Sequence, residues 1–352
     1  SRVLPLAAAA TAVAAGTYHT CARLTDNSTR CWGYGGYGEL GSGFTTNSLV
    51  PVETAQPISA VGQITKPGSY VLTANLTTAT TTPPLSIHDT SNVTLNCNSH
   101  TITNTGSALS LIQVTNVTNL TVTKCVAKDE FSFSIAANNL KTATIKQNTL
   151  SGSNIDNSNA VRFTQNNVTN YVQQHFTNNS LIDANTFIGP DVGIIAGMVV
   201  LSNGTGNRVI NNTMDGHWGG SEGDFGQKGS DDGVVLGDEN GCEVSGNTIT
   251  NNWDAAIESV GNLNNCTIAN NKISNALICA IGGWYSNSWK GNKVTGNTAS
   301  NVGGLFELYR AYALRSSTEI VYFRDNVFTG NIETNNPGYP TFIDMSLERA
   351  MT

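Results

Sequence analysis

The sequence predicts an all-β chain, most of it a coil of short strands stacked on copies of itself. Three observations carry that expectation. Residues 240–252 read NGCEVSGNTITNN and residues 264–275 read NNCTIANNKISN, so Cys242 and Cys266 are 24 residues apart, as are Asn247 and Asn271. Each copy places two short β-rich runs around an Asn with no helical period, the signature of a solenoid repeat. Charged residues are only 12% of the chain, well below a usual globular share, while recurring β-branched and aromatic residues argue against disorder.

Composition removes several function classes. The 352 residues carry 18 Lys and Arg against 25 Asp and Glu, a formal charge of -7, which argues against a nucleic-acid partner. No apolar run approaches the ~18 residues that a membrane helix needs, so no membrane span is expected. Seven cysteines occur without a CxxC pair, which disfavours a zinc site. Spaced cysteines in such a chain fit an exported protein with disulfides, at the cell surface or outside the cell. The odd count leaves one thiol unpaired or bonded to another chain. Asn-x-Ser/Thr sequons stand at Asn27, Asn75, Asn92, Asn116, Asn119, Asn167, Asn178, Asn203, Asn211 and Asn265, each a candidate for glycosylation in an exported protein.

Taken in order, residues 1–53 read as a separate β unit. Two apolar strands flank a turn at 25–28, and a Gly/Tyr-rich segment follows. Gly16, His19, Cys21, the triplet Cys31-Trp32-Gly33 and Gly38-Glu39-Leu40-Gly41 closely resemble one blade of a regulator-of-chromosome-condensation-type β-propeller. That resemblance implies a Cys21–Cys31 disulfide, because extracellular members often carry the pair. It also implies a binding role, because members are mostly interaction platforms. One blade cannot close a propeller, so the expectation is either a fragment of a longer protein or a blade whose open edges dock on the coil or on another subunit.

Residues 54–86 are expected to be a linker and a cap on the coil. Residues 87–330 are expected to be the coil itself, about eight turns of it. Ser91–Gly106 (SNVTLNCNSHTITNTG) and Asn119–Cys125 (NLTVTKC) resemble the broad right-handed parallel β-helix repeat superfamily. The superfamily includes pectate lyases, polygalacturonases, epimerases, tailspikes and adhesins. Cys97 and Cys125 are expected as neighbours on adjacent turns. Cys242 and Cys266 read either as a disulfide or, with Cys279, as small interior residues. Asn148, Asn185, Asn212, Asn247, Asn271, Asn292 and Asn326 register as one column, with Asn at a left-handed corner and its amides stacked as a ladder. Val244, Ile249 and Ile257 with Ile268, Ile273 and Ile281 are expected to face inward. Residues 331–352, where the period fades at NNPGYP, are expected to be a cap or an exchanged arm.

The chemistry-bearing residues crowd between Asp215 and Glu258. If Gly233-Val234-Val235-Leu236 and Ala255-Ala256-Ile257-Glu258 are equivalent, Asp232 and Asp254 stack on adjacent turns about 5 Å apart. Asp232, Asp254 and Glu258 are therefore the candidate acid/base groups. Asp224, Asp231, Asp232 and Asp254 are the candidate calcium ligands, since calcium takes clustered carboxylate oxygens. Trp218, Trp253 and Trp284 are candidate stacking faces for sugar rings. The competing reading is that Asp-Asp-Gly and Asp-Gly are ordinary turn formers. Ser230-Asp231-Asp232-Gly233 faintly resembles the aspartates of polygalacturonases, but the Gly-His-Gly and Arg-x-Lys that follow them there are missing.

Two functional expectations result. The first is an exported structural or adhesive β-helix protein, self-assembling through the blade and the coil ends in a fibre or surface layer. The second is a carbohydrate-active enzyme, a polysaccharide lyase or hydrolase on a polyuronate-like glycan. A non-catalytic glycan-binding module is the weaker third.

Overall fold

The computed structural model describes residues 9–25, 29–42, 45–127, 133–191, 197–219, 228–284, 288–309, 322–334 and 344–345. Two sheets make up the molecule. A four-stranded antiparallel unit, with β1 (Ala10–Ala15), β2 (His19–Leu24), β3 (Thr29–Gly33) and β4 (Ser48–Glu53) in sequence order, forms the blade. Cys21 faces Cys31 across β2 and β3, and the two form a disulfide. Ala22, Leu24, Cys31 and Leu40 make its small core, and Arg30 pairs with Glu53 at 3.1 Å across β3 and β4.

Everything after the blade is a right-handed parallel β-helix. Three faces run its length, called here sheets 1, 2 and 3 in the order a coil visits them. Sheet 1 is traced by one register column: Gly62, Leu85, Ile112, Ile135, Ser153, Val172, Val199, Val234, Ile257, Ile281 and Phe306. From Leu85 onward every member is buried. Period-2 alternation turns each of these inward and its neighbours outward, and stacking puts like upon like in a continuous apolar core. The pairs Val244 with Ile268, Ile249 with Ile273 and Ile257 with Ile281 sit in register and are buried.

Coil length varies while the wall stays constant. From Ile135 to Ser153 the chain advances 18 residues, and from Val199 to Val234 it advances 35. The extra residues leave at the corners as loops, because the stacked strands themselves cannot lengthen without losing register.

The coil is longer at both ends than the sequence period suggests. Residues 54–86 are not a linker with a cap: Gly62–Ile64, Gly68–Leu72 and Leu76–Thr78 already pair in parallel with the next coil. Their polar, Thr-rich composition hides the repeat because the first coil has only one neighbour to bury against. After residue 330 the stacking continues, with Ile332–Thr334 on Thr298–Ser300 and Asp344–Met345 on Glu307–Leu308. Among the described residues, sheet 1 thus stacks the eleven strands of its column plus Asp344–Met345, against the about eight turns expected. The rest of 335–352 lies outside the described residues.

Two corners are built by side chains. At the corner between sheets 2 and 3, Asn148, Asn166, Asn185, Asn212, Asn247, Asn271, Asn297 and Asn331 form a buried ladder. Asn247 is representative. Its backbone N–H and Nδ2 both donate to Asn271 Oδ1 at 3.0 Å, and Nδ2 also donates to Val209 O at 2.9 Å one coil back. Its own Oδ1 accepts from Asn212 N at 2.9 Å and Asn212 Nδ2 at 3.0 Å. The column expected from sequence is corrected in two ways. Asn292 and Asn326 do not belong to it, and the ladder runs on to Asn297 and Asn331. The left-handed residue is the one before each ladder Asn, as at Gln147, Gln165, Ala184 and Asn211, so the ladder Asn itself is free to turn its amide inward.

Asn292 and Asn326 stand at the other corner, before sheet 2, in a column with Ser180, Asn207, Cys242 and Cys266. Asn207, Asn292 and Asn326 accept the N–H of the preceding coil's residue there, at 2.9 to 3.0 Å. The Cys242–Cys266 disulfide takes the place of one such rung, as Cys97–Cys125 links two coils near the start. Cys279 is buried and forms no disulfide.

Replacing Asn247 by Ala is expected to cost about 2–4 kcal/mol in urea unfolding, because it orphans the buried N–H of Asn212 and breaks the ladder both ways. Gln165→Gly, at an exposed left-handed position, is expected to stay within about 1 kcal/mol of the parent or to exceed it.

Candidate functional site

The acidic residues collect at the corner between sheets 3 and 1, where the longest insertion leaves the wall. The chain exits after Asp215 at Gly216 and returns at Gly229 and Ser230, whose N–H donates to Gly216 O at 2.7 Å. Gly229 takes φ +80°, and a Cβ there would sit 2.4 Å from Gly216 O, so only glycine closes this loop at its neck. Within the insertion His217 N donates to Asp215 Oδ1 at 2.9 Å, and Trp218 N to Asn251 O at 3.0 Å on the next coil.

Register at the corner differs by one residue from the expected one. Val234 lies opposite Ile257, which puts Asp231 opposite Asp254 and Asp232 opposite Ala255. Asp254 N accordingly donates to Asp231 O at 3.0 Å, and Ala255 N to Asp232 Oδ1 at 3.1 Å. Asp232 and Asp254 are therefore not a stacked pair. The inward apolar residues Val234 and Leu236 fix the register, and the Asp-Asp-Gly turn simply follows them.

Four carboxyl groups nevertheless meet there, in two hydrogen-bonded pairs. Asp232, 1% exposed, bonds to Glu258, 8% exposed. Asp231 bonds to Asp254. Burial raises the Asp232 carboxyl well above the carboxylate range, and the negative charges of Glu258, Asp231 and Asp254 raise it further. Asp231 is pushed up to about 8, first by burial and then by Asp254 and Glu258. Glu258 is raised to about 7 by burial and by Asp254, with the bond to Asp232 pulling the other way. Asp232 and Asp231 thus keep their protons into the neutral range and above, and Glu258 keeps its own up to about pH 7. Such a group of acids holds protons through neutral pH and can pass one to a bound molecule.

Of the expected calcium ligands, Asp224 lies outside the described residues. Among the described residues no group of three or more His, Cys, Asp or Glu side chains is arranged to hold a metal. The expected stacking faces are corrected as well: Trp218 is 8% and Trp253 4% exposed, so neither presents a ring to solvent. The side chain of Trp284 lies outside the described residues.

The sequon asparagines at 75, 92, 116, 119, 167, 178, 203, 211 and 265 are all exposed, and Asn27 lies outside the described residues. Asn116, Asn119, Asn211 and Asn265 already commit Nδ2 to Asp89, Asn92, Asp183 and Asn240 on the preceding coil.

One buried acid escapes sequence reading. Glu239, 1% exposed, points into the coil and accepts from Asn207 Nδ2 at 3.1 Å. Burial raises it to about 7, against the bonds from Asn207 and Gly204 N. Its column partners Leu263 and Trp289 are buried apolar residues, so the inward phase was present in the sequence once that column was aligned.

Residues 10–39 match the family model of the regulator of chromosome condensation (RCC1) repeat. No curated protein matches the chain. Among solved structures it is similar to the periplasmic alginate epimerase AlgG, at 11% identity and TM-score 0.40, over 82% of this chain and 75% of that one. It is also similar to the catalytic domain of a GH87 alpha-1,3-glucanase in complex with nigerose, at 12% identity and TM-score 0.35, over 87% and 69%. A third is a tailspike protein of an E. coli bacteriophage in complex with a pentasaccharide, at 10% identity and TM-score 0.31, over 82% and 60%. At such values the likeness says nothing about chemistry.

The raised carboxyl groups set the sign of the pH dependence. Their folded forms hold protons that the unfolded chain releases, so the stability they contribute is complete below about pH 4 and is lost as pH rises through 7 to 8. Melting temperature is expected to fall from pH 5 to pH 8. Glu239→Gln is expected to flatten that fall by roughly 3 kcal/mol, read from urea unfolding at the two pH values.

Proposed function

We propose that the chain is an exported carbohydrate-active β-helix protein whose chemistry is proton transfer by the corner carboxyl groups. The observation that carries this reading is the buried Asp232–Glu258 pair backed by Asp231 and Asp254. Burying four mutually repelling acids on two adjacent coils opposes folding at neutral pH, and strongly raised carboxyl groups gathered at a corner mark functional sites. Glu258 sits nearest the surface of the pair and is the group that meets substrate. Asp232 is fully enclosed, so its role is to position Glu258 and hold its proton. The choice of a glycan as substrate rests on analogy with β-helix proteins as a class. Export is supported by the three disulfides.

A second reading, a binding or assembling rod, is favoured by the blade. Its strand β1 is exposed throughout, and Val13, Tyr18, Tyr37 and Leu49 are 64%, 75%, 87% and 96% exposed. An open strand edge beside apolar side chains is a docking surface. The two readings are compatible, since the blade lies at one end of the chain and the acidic corner far along the coil.

The test is product release from a polysaccharide panel that includes polygalacturonate, alginate and alpha-1,3-glucan. Asp232→Asn and Glu258→Gln are each expected to lower the rate about 100-fold or more while the protein stays folded. Activity is expected to fall on the alkaline side through about pH 7, where Glu258 loses its proton. Turnover unchanged in both variants would reject the acid/base assignment. Sedimentation of the full chain tests the second reading: a monomer at high concentration, unaffected by Tyr18→Ser, would sink it.

A further inference from the structure

The outer face of sheet 1 carries a polar column that the acidic corner does not use. Going up the coil it reads Asp156, His175, Ser202 and Gly237. Ile155, Gln174 and Leu201 beside them are buried, while His175 and Ser202 are part-exposed, so alternation turns this column to the surface. His175 Nδ1 and Ser202 Oγ are 2.5 Å apart. His88 and His100 meet Asp89 and Asn75 at Nδ1, whereas His175 meets a hydroxyl. A hydroxyl bonded to an imidazole is a nucleophile with its base.

The residues above and below suit that pair. Gly237 stands one rung above Ser202, and a Cβ there would lie 3.1 Å from Ser202 Cβ, so glycine keeps that side of the hydroxyl open. One rung below the ring, Asp156 accepts from Asn154 Nδ2 on Oδ2 at 2.9 Å, and its Oδ1 has no hydrogen-bond partner. Asp156 does not bond to the ring. Its negative charge at strand spacing, about 4.8 Å between backbones, favours the imidazolium that forms when His175 takes a proton. Gln173, outward like His175 and two residues before it, brings a side-chain amide to the same patch, a donor type that stabilises an oxyanion.

The corner just past His175 adds a second observation. Each coil turns there through a left-handed residue, which in neighbouring coils is Asn139, Asn157, Asn203, Asp238 or Gly261, all types that accept the conformation readily. In the coil of His175 it is Phe176, at φ +52°, and for so bulky a side chain this is an outlier. The Phe176 ring is 58% exposed, so burial does not repay the strain. Its N–H donates to Ser202 O at 2.8 Å, which ties it to the pair. Strain kept without burial marks a functional position.

We propose that Ser202 and His175 are the nucleophile and base for hydrolysis of O-acyl esters carried by a carbohydrate, with Asp156 a positioning residue beneath the ring and Phe176 the contact for the sugar. This activity is separate from proton transfer at the acidic corner, and only the choice of a carbohydrate ester rests on the glycan reading above. Ser202 lies two rungs and two residues from Glu258 on the same face, roughly 12 Å between backbones, so one polymer lying there meets both. With its hydrogen on Nε2, the ring accepts the Ser202 hydroxyl at Nδ1. Ser202 Oγ attacks the acyl carbon as Nδ1 takes the hydroxyl proton. The tetrahedral intermediate breaks its bond to the sugar oxygen, which leaves as a hydroxyl with the proton from the imidazolium. Water then attacks the acyl-serine and gives a proton to Nδ1, and the carboxylic acid departs as Ser202 Oγ takes that proton back.

The experiment uses the full chain. It measures p-nitrophenyl acetate hydrolysis, acetate release from acetylated xylan and acetylated alginate, and labelling by a fluorophosphonate probe located by mass spectrometry. The parent is expected to hydrolyse the esters and to carry the label on Ser202. Ser202→Ala is expected to lose the label and about 100-fold or more of kcat/KM, and His175→Gln a similar factor. If His175→Gln does not melt like the parent, His175→Asn takes its place. Asp156→Asn is expected to lower kcat about tenfold with KM kept. Phe176→Asn is expected to raise KM on the polymers about tenfold while raising the melting temperature, because Asn fits the left-handed corner. A label on another residue, or folded Ser202→Ala within threefold of the parent, would overturn the inference. A parent with neither label nor ester hydrolysis would overturn it too, while cleavage of the polysaccharide panel judges the acid/base reading separately.

Discussion

The molecule depends on how each coil satisfies the backbone of the one before it. A parallel β-helix must turn sharply at every corner, and a sharp turn pulls N–H groups away from any strand partner. In this chain a left-handed residue makes the turn and the next side chain supplies the missing acceptor. That device, repeated from Asn148 to Asn331, leaves no corner N–H in the ladder to water or to chance. Because the acceptor comes from the following coil, correct stacking and a satisfied backbone are the same event. The apolar interior adds most of the burial energy, but many apolar registers would bury nearly as much. The amides single one out.

This rigidity explains how the acidic corner is tolerated. Four carboxyl groups on adjacent coils repel as pH rises, and a soft wall would splay to let water reach them. Here Asp231 and Asp254 are tied through their backbones, and Asp232 takes an N–H from the coil above. The strands of sheet 1 on one side and the Asn ladder below sheet 3 on the other keep those backbones at strand spacing. Trp218, just after Asp215 and Gly216, and Trp253, just before Asp254, are both buried, and apolar surroundings of that kind strengthen both the repulsion and the hydrogen bonds. The same wall that makes the acids expensive to ionise holds them where a proton can be handed outward.

Much of the fold was legible in the sequence because the repeat at 240–275 is nearly perfect, and equal spacing there means equal structure. Legibility failed where that spacing breaks. From Val234 to Ile257 the step is 23 residues, while from Glu239 to Leu263 it is 24, with a register shift between Gly237 and Glu239, and one residue is enough to swap Asp231 for Asp232 as the partner of Asp254. The ladder was misread past Asn271 because both corners use Asn. A spacing of 21 to Asn292 looks like a short coil, while the true step of 26 reaches Asn297. Glu239 was invisible for a different reason: a carboxylate read from sequence is taken as exposed, and only alignment with Leu263 and Trp289 shows the inward phase.

The ladder also has a direction. Every amide before the last hands one Nδ2 hydrogen forward to the next coil's Oδ1, sends the other back to a carbonyl of the coil behind, and receives on its own Oδ1 from that coil, so the column is a string of aligned dipoles with an acceptor at its first end. A coil is therefore not interchangeable end for end, but it is interchangeable with another coil. Removing one whole turn joins a forward donor to a waiting acceptor and leaves the string unbroken, whereas removing part of a turn leaves both stranded. Chain length in such a protein is quantised by its hydrogen bonds, and gains or losses that ignore the quantum are confined to the loops at the corners.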